Sequence, residues 1–177
     1  MRISVLAALS AWIISICCYQ PTQGNPGPAL TNITITQPVD SIVIIKHSRL
    51  LIAYNHHKVL KSFHICLGPE PTGKKHFKDD GKTPEGLYFI NGKNAISHYH
   101  KCMGLSYPNN EDRKYAQSQG KPPGGDIKIH GLPNGKGFMA KEFSAVDWTL
   151  GCIALTDEEI DELYAHVAVG TCVNILP

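Results

Sequence analysis

Most apolar residues after position 40 fall in runs of strand length, each closed by residues that favour turns. This constrains the chain more than any other feature. Ser41 to Lys46, Leu50 to Tyr54 and Val59 to Cys66 are three such runs, and Asn55, His56, His57 and Lys58 between the second and third have the composition of a hairpin turn. A loop follows, because no strand can be threaded through Gly68, Pro69, Pro71, Gly73, Gly81, Pro84 and Gly86. Leu87 and Tyr88 then lead into a strand through Ile90, and Ser97 to Leu105 alternates as a further strand with His98, His100 and Cys102 on one face. Glu111 to Gln119 reads as a short surface helix ending at Gly120. Asp126 to His130 and Thr171 to Leu176 read as short strands. The clearest helix starts at Thr156, which forms a capping box with Glu159 and carries Ile160, Leu163, Tyr164 and Val167 on one apolar face. Its carboxylates Asp157, Glu158, Glu159, Asp161 and Glu162 are expected to be solvated helix surface rather than catalytic groups.

The expected fold is mainly β with a few helices, one of them capped near the end. At 177 residues the chain suits one globular domain, here residues 41–177. Residues 1–24 hold Arg2, an apolar run from Val5 to Cys18 and a polar exit, the layout of a signal peptide, with an N-terminal membrane anchor as the alternative; 25–40 read as a linker. Cys17 or Cys18 would suit lipidation, but Ile16 stands where that signal wants a small residue. The sequon at Asn32 matters only on a eukaryotic secretory path. A net charge of +2 without a basic stripe argues against nucleic acid as a partner. Export makes a disulfide among Cys66, Cys102 and Cys172 permissible, with unpaired buried thiols the alternative. Lys74, Lys75, Lys78 and Lys82 read as a mobile solvated loop or as a rim that meets an anionic ligand.

The chemistry concentrates between Ile127 and Leu155. A thiol attacks as thiolate, and an imidazole nearby takes its proton and later returns it to a leaving group. His130 and Cys152 are the candidates; Gly151 permits close backbone approach, and the amides of Gly151 and Cys152 are placed to meet an oxyanion. The alternative is a buried cysteine beside a strand histidine. Zinc bound by His98, His100 and Cys102 is a further alternative, weakened by the lack of a fourth ligand. A papain-like arrangement is disfavoured because there the cysteine precedes the histidine, and the 22 positions from His130 to Cys152 leave little room for a two-barrel cysteine protease.

His130 with Gly131, followed by Thr149, Gly151, Cys152 and Ile153, resembles the signature of the L,D-transpeptidase catalytic domain, or YkuD, family. Asp80, Gly81, Lys82, Thr83, Pro84, Glu85, Gly86, Leu87, Tyr88 and then Ser106, Tyr107, Pro108, Asn109 are similar to upstream segments of that family. Leu150 and Ala154 depart from it, standing where a polar residue and an arginine or asparagine are usual, and the spacer after Gly131 is slightly long. The resemblance implies a mixed β sandwich or barrel with one capped helix after Cys152, and an exported enzyme of the periplasm or cell envelope acting on peptidoglycan stem peptides. Cys152 would be the nucleophile, His130 the base, and Gly131 the carbonyl partner of the imidazole. Gly151 and Thr149 would support the oxyanion. An amine acceptor, either a second stem peptide or an envelope protein, would resolve the thioester, and neither a metal nor an organic cofactor would be needed. Leu150 and Ala154 also motivate a thiol hydrolase on the same fold. The remaining alternative is a non-catalytic envelope-binding module whose Cys152 is structural.

Overall fold

The computed structural model describes residues 33–177. The leader or anchor of residues 1–24, Cys17, Cys18, the sequon at Asn32 and residues 25–32 of the linker lie outside the described residues. Within the described part, Ile35 is buried in the core and its amide donates to Glu162 Oε1 at 2.6 Å.

Eight strands follow: β1 (Val39–Ile45), β2 (Leu50–Asn55), β3 (Lys58–His64), β4 (Gly86–Ser97), β5 (His100–Leu105), β6 (Lys128–His130), β7 (Ile153–Ala154) and β8 (Val167–Leu176). They form one mixed sheet in the order β3-β2-β1-β8-β4-β5-β6-β7, antiparallel except for the parallel pairs β1/β8 and β6/β7. Just beyond β3, Cys66 bridges Ala154 of β7 through hydrogen bonds of 3.0 and 2.9 Å, so the two ends of the sheet order meet and the sheet curls on itself. The fold is mainly β, as expected. Its core takes alternate residues from the strands, among them Ile42 and Ile44 of β1 and Val173 and Ile175 of β8, and closes with Ile160 and Leu163 of the last helix.

Helix α1 (Asn110–Ser118) carries a capping box, Asn109 with Asp112, that the sequence reading missed. A 3-10 turn (Gly137–Met139) runs into the four-residue α2 (Ala140–Phe143), and α3 (Asp157–His166) follows with the expected Thr156–Glu159 box. The single strand expected from Ser97 to Leu105 is instead a hairpin. Ser97 pairs with His100 across a turn made of His98 and Tyr99, and His100 adopts a left-handed φ of 57°. His98 therefore does not share a strand face with His100 and Cys102. His100 turns to Asp161 at 2.7 Å, and among the described residues no group of three or more His, Cys, Asp or Glu side chains could hold a metal. The same residues correct the picture of a solvated acidic helix: Asp161 pairs with His100 and Lys101, Glu162 with Lys61, and Asp157 accepts the Leu132 amide.

The lysines of the Gly68–Gly86 loop serve the fold more than a ligand. Lys75 is buried against Asp80, Lys74 meets Asp112 at 3.0 Å, and Lys82 donates to the Thr72 carbonyl. Cys66, Cys102 and Cys152 are free thiols among the described residues.

Candidate active site

Three short strands build the site. Met103 of β5, Ile129 of β6 and Ile153 of β7 are fully buried on the core side of the sheet. Alternation then sends Cys102, Lys128 and His130 to the other face, where the register pairs Cys102 with His130. Cys152 precedes β7 and opens onto that face. Cys102, Lys128, His130 and Cys152 all line one cavity of about 650 Å³, whose walls also include Tyr99 from the β4–β5 turn and Trp148, Thr149 and Leu150 from the loop before the cysteine.

His130 is almost fully buried, with its Nδ1 2.7 Å from the Gly131 carbonyl oxygen. A carbonyl only accepts, so Nδ1 carries the proton and Nε2 is the basic nitrogen. Tyr99 and Trp148 pack on the ring at centroid distances of 4.8 and 5.6 Å. Burial pushes the affinity of the imidazole for a proton below its ordinary value, with Lys128 adding to the effect and the Gly131 carbonyl opposing it. Burial likewise pushes the Cys152 thiol upward, against the pull of the Lys128 backbone amide and ammonium. Both shifts disfavour the charged forms and so oppose a resting thiolate–imidazolium pair.

The loop carrying Cys152 is fixed from three sides. Arg49 Nε lies 3.0 Å from both carboxylate oxygens of Asp147, and Asp147 also accepts the Leu67 amide at 2.8 Å. Thr149 donates its amide to the Leu67 carbonyl and its hydroxyl to the Cys152 carbonyl at 2.8 Å. Thr83 Oγ1 donates to the Gly151 carbonyl at 3.0 Å. Thr83 and Lys82 belong to the upstream motif, which therefore packs directly against the cysteine loop. Asp80 stiffens that motif by accepting from Lys75, His76, Phe77 and Lys82. The other segment begins with Ser106, whose hydroxyl accepts the Phe89 amide, and ends with Asn109 capping α1.

Of the residues expected at the site, His130, Cys152 and Thr149 line the cavity and Gly131 holds the imidazole through its carbonyl. The Gly151 amide donates to Thr149 Oγ1 at 3.2 Å, so it serves the loop. Sequence reasoning missed Trp148, Tyr99 and Lys128. Trp148 sits beside the motif and its Nε1 is buried without a partner, whereas nothing local marks Tyr99.

A family model for the L,D-transpeptidase catalytic domain, YkuD, matches residues 39–175. The chain belongs to the YkuD family. A curated relative, "Putative L,D-transpeptidase YafK" of Escherichia coli strain K12, is 30% identical over 132 residues, which cover 71% of this chain and 46% of that protein. Among solved structures, the helical cell shape determining protein Pgp2 of Campylobacter jejuni superposes with a TM-score of 0.57 at 26% identity, over 82% of this chain and 51% of that one. Bd1075 of Bdellovibrio bacteriovorus gives 0.54 at 22% identity, over 84% and 52%, a likeness of fold alone. The chain thus spans about half the length of the relatives it matches. No helix among the described residues is long and apolar enough to cross a membrane.

Proposed function

We propose that this YkuD domain is an exported cysteine acyltransferase that attacks peptidoglycan stem peptides through Cys152 and passes the acyl group from the thioester to an amine acceptor. The observation that carries the reading is the convergence of Cys152 and a tautomerically fixed His130 on one open cavity. Nε2 of His130 takes the thiol proton as sulfur attacks the carbonyl carbon of the residue with the L-centre, and then gives that proton to the departing D-amino acid amine. Because the Gly151 amide is engaged by Thr149, the oxyanion falls to the amide of Cys152 itself, with Thr149 holding the loop in place.

A second reading has its own support. Leu150 is 81% exposed beside the nucleophile and Ala154 is buried against Cys66, so the two positions that usually carry polar groups offer an incoming amine nothing to bind. Water then resolves the thioester and the product is a trimmed stem peptide. Product analysis of a disaccharide tetrapeptide, with and without an excess of a diamino acid stem tripeptide as acceptor, separates the two. Cross-linked product supports transfer, and only trimmed peptide at the highest acceptor concentration supports hydrolysis. An inert Cys152 in native thiol titration, with no product of either kind, would instead favour a binding module.

A further inference from the structure

Asp157 is the first residue of α3, and its Oδ1 accepts the Leu132 amide at 2.8 Å. The peptide group that donates to it joins Gly131 to Leu132, and the carbonyl at the other end of that group receives His130 Nδ1–H at 2.7 Å. A peptide group is a single conjugated unit, so a carboxylate pulling on its N–H pushes electron density onto its oxygen, and hydrogen bonds in series polarise one another. We propose that Asp157 is a positioning residue for His130, acting through the Gly131–Leu132 peptide so that the site runs thiol, imidazole, peptide, carboxylate.

This inference rests on the reading of His130 as the base. No proton passes along the peptide. His130 keeps its Nδ1 proton and accepts the thiol proton at Nε2, and the imidazolium so formed faces a carbonyl whose negative end Asp157 has strengthened.

The surroundings are shaped for this carboxylate. A Cβ on Gly131 would lie 2.7 Å from Asp157 Oδ1 and 3.0 Å from both His100 Cβ and Ile160, and a Cβ on Gly137 would lie 2.9 Å from Oδ2. Two glycines therefore clear the space the carboxylate fills. The other groups around His130 do not supply a stabilising charge at Nδ1. Cys102 faces it from β5, Lys128 from its own strand, Tyr99 from the hairpin turn, and Trp148 and Cys152 from the loop; His98 and Asp126 line the outer cavity. His100, beside Gly131, is paired with Asp161 of α3.

The test is the pH dependence of Cys152 alkylation by iodoacetamide in the full chain, mapped by peptide mass spectrometry, alongside the NMR titration of the His130 ring. Asp157→Asn keeps an oxygen for the Leu132 amide and removes the charge. It is expected to slow alkylation at neutral pH by roughly threefold to thirtyfold, a part of the ~10²–10⁴ a positioned base contributes. It should also move the His130 midpoint down by about half a unit to one unit, the size of a single charge-linked interaction. Asp157→Asn that alkylates like the parent with an unmoved midpoint overturns the proposal, since a merely structural acceptor would survive that change. His130→Gln separates the underlying reading: if it alkylates like the parent, the base assignment fails, and the midpoint alone decides whether Asp157 acts on the imidazole.

Discussion

Gly151 shows how tightly single positions are set beside the nucleophile. Its φ is 114°, and a Cβ there would lie 2.3 Å from the Lys82 carbonyl oxygen, which is backbone and cannot swing away. Gly151→Ala is therefore expected to cost at least about 1–3 kcal/mol in chemical denaturation, the usual scale of such backbone strain, and to displace Cys152 enough to suppress its reactivity. The titrating groups make a second prediction. Burial lowers the proton affinity of His130 in the native state, so below the ordinary imidazole value of ~6.5 the unfolded chain binds a proton that the folded chain does not, and stability falls as pH falls. Cys152 is shifted upward and Cys66 is pushed up to about 11; above the ordinary thiol value of ~8.5 the unfolded chain loses protons that the native chain keeps, so stability falls again as pH rises. Melting temperature against pH should show a plateau between these limits, and His130→Gln should flatten its acid side.

At the scale of elements, the loop before β7 hangs on one long-range ion pair. Arg49, in the turn between β1 and β2, and Asp147, next to Trp148, are both partly buried, and the Asp147 carboxyl is held below its usual range by Arg49 and by the Leu67 amide despite its burial. Arg49→Ala leaves that carboxylate with only the Leu67 amide at the same site. The expected loss is about 1.5–3 kcal/mol, typical of hydrogen bonds to charged groups, with slower Cys152 alkylation as the readout that the loop has loosened. Asn55 to Lys58 and Thr156 to Glu159 could be read in the sequence because a hairpin turn and a capping box are written in adjacent residues. His130, Gly131 and Cys152 were legible because a motif carries them. The Arg49–Asp147 pair was not, since 98 positions separate its members. The β4–β5 turn was hidden because Ser97, His98, Tyr99 and His100 contain no glycine or proline, and His100 takes a left-handed conformation that its residue type does not announce. Asp157 was misread for a related reason: an acidic first helical turn looks alike whether its carboxylates face water or a neighbouring loop.

For the whole molecule the decisive strand is the last. β8 lies between β1 and β4 and joins the β3-β2-β1 half of the sheet to the half that carries His130 and Cys152. Its parallel register with β1, Ser41 opposite Cys172 through Ile45 opposite Leu176, links the two ends of the domain and could not be inferred from local pattern. Removing residues 167–177 should abolish cooperative unfolding by circular dichroism, whereas removing only Pro177 should leave it intact. That closed frame fixes β6 and β7 side by side and so brings His130 and Cys152 to one cavity. The most direct test of this account is an intact-protein mass spectrum after incubation with a stem tetrapeptide, with the adduct mapped to its peptide. The account predicts a mass increase equal to the tetrapeptide less its terminal D-amino acid, borne on Cys152 and lost in Cys152→Ala. No adduct on a protein that still turns the tetrapeptide over with Cys152 replaced by alanine would contradict it.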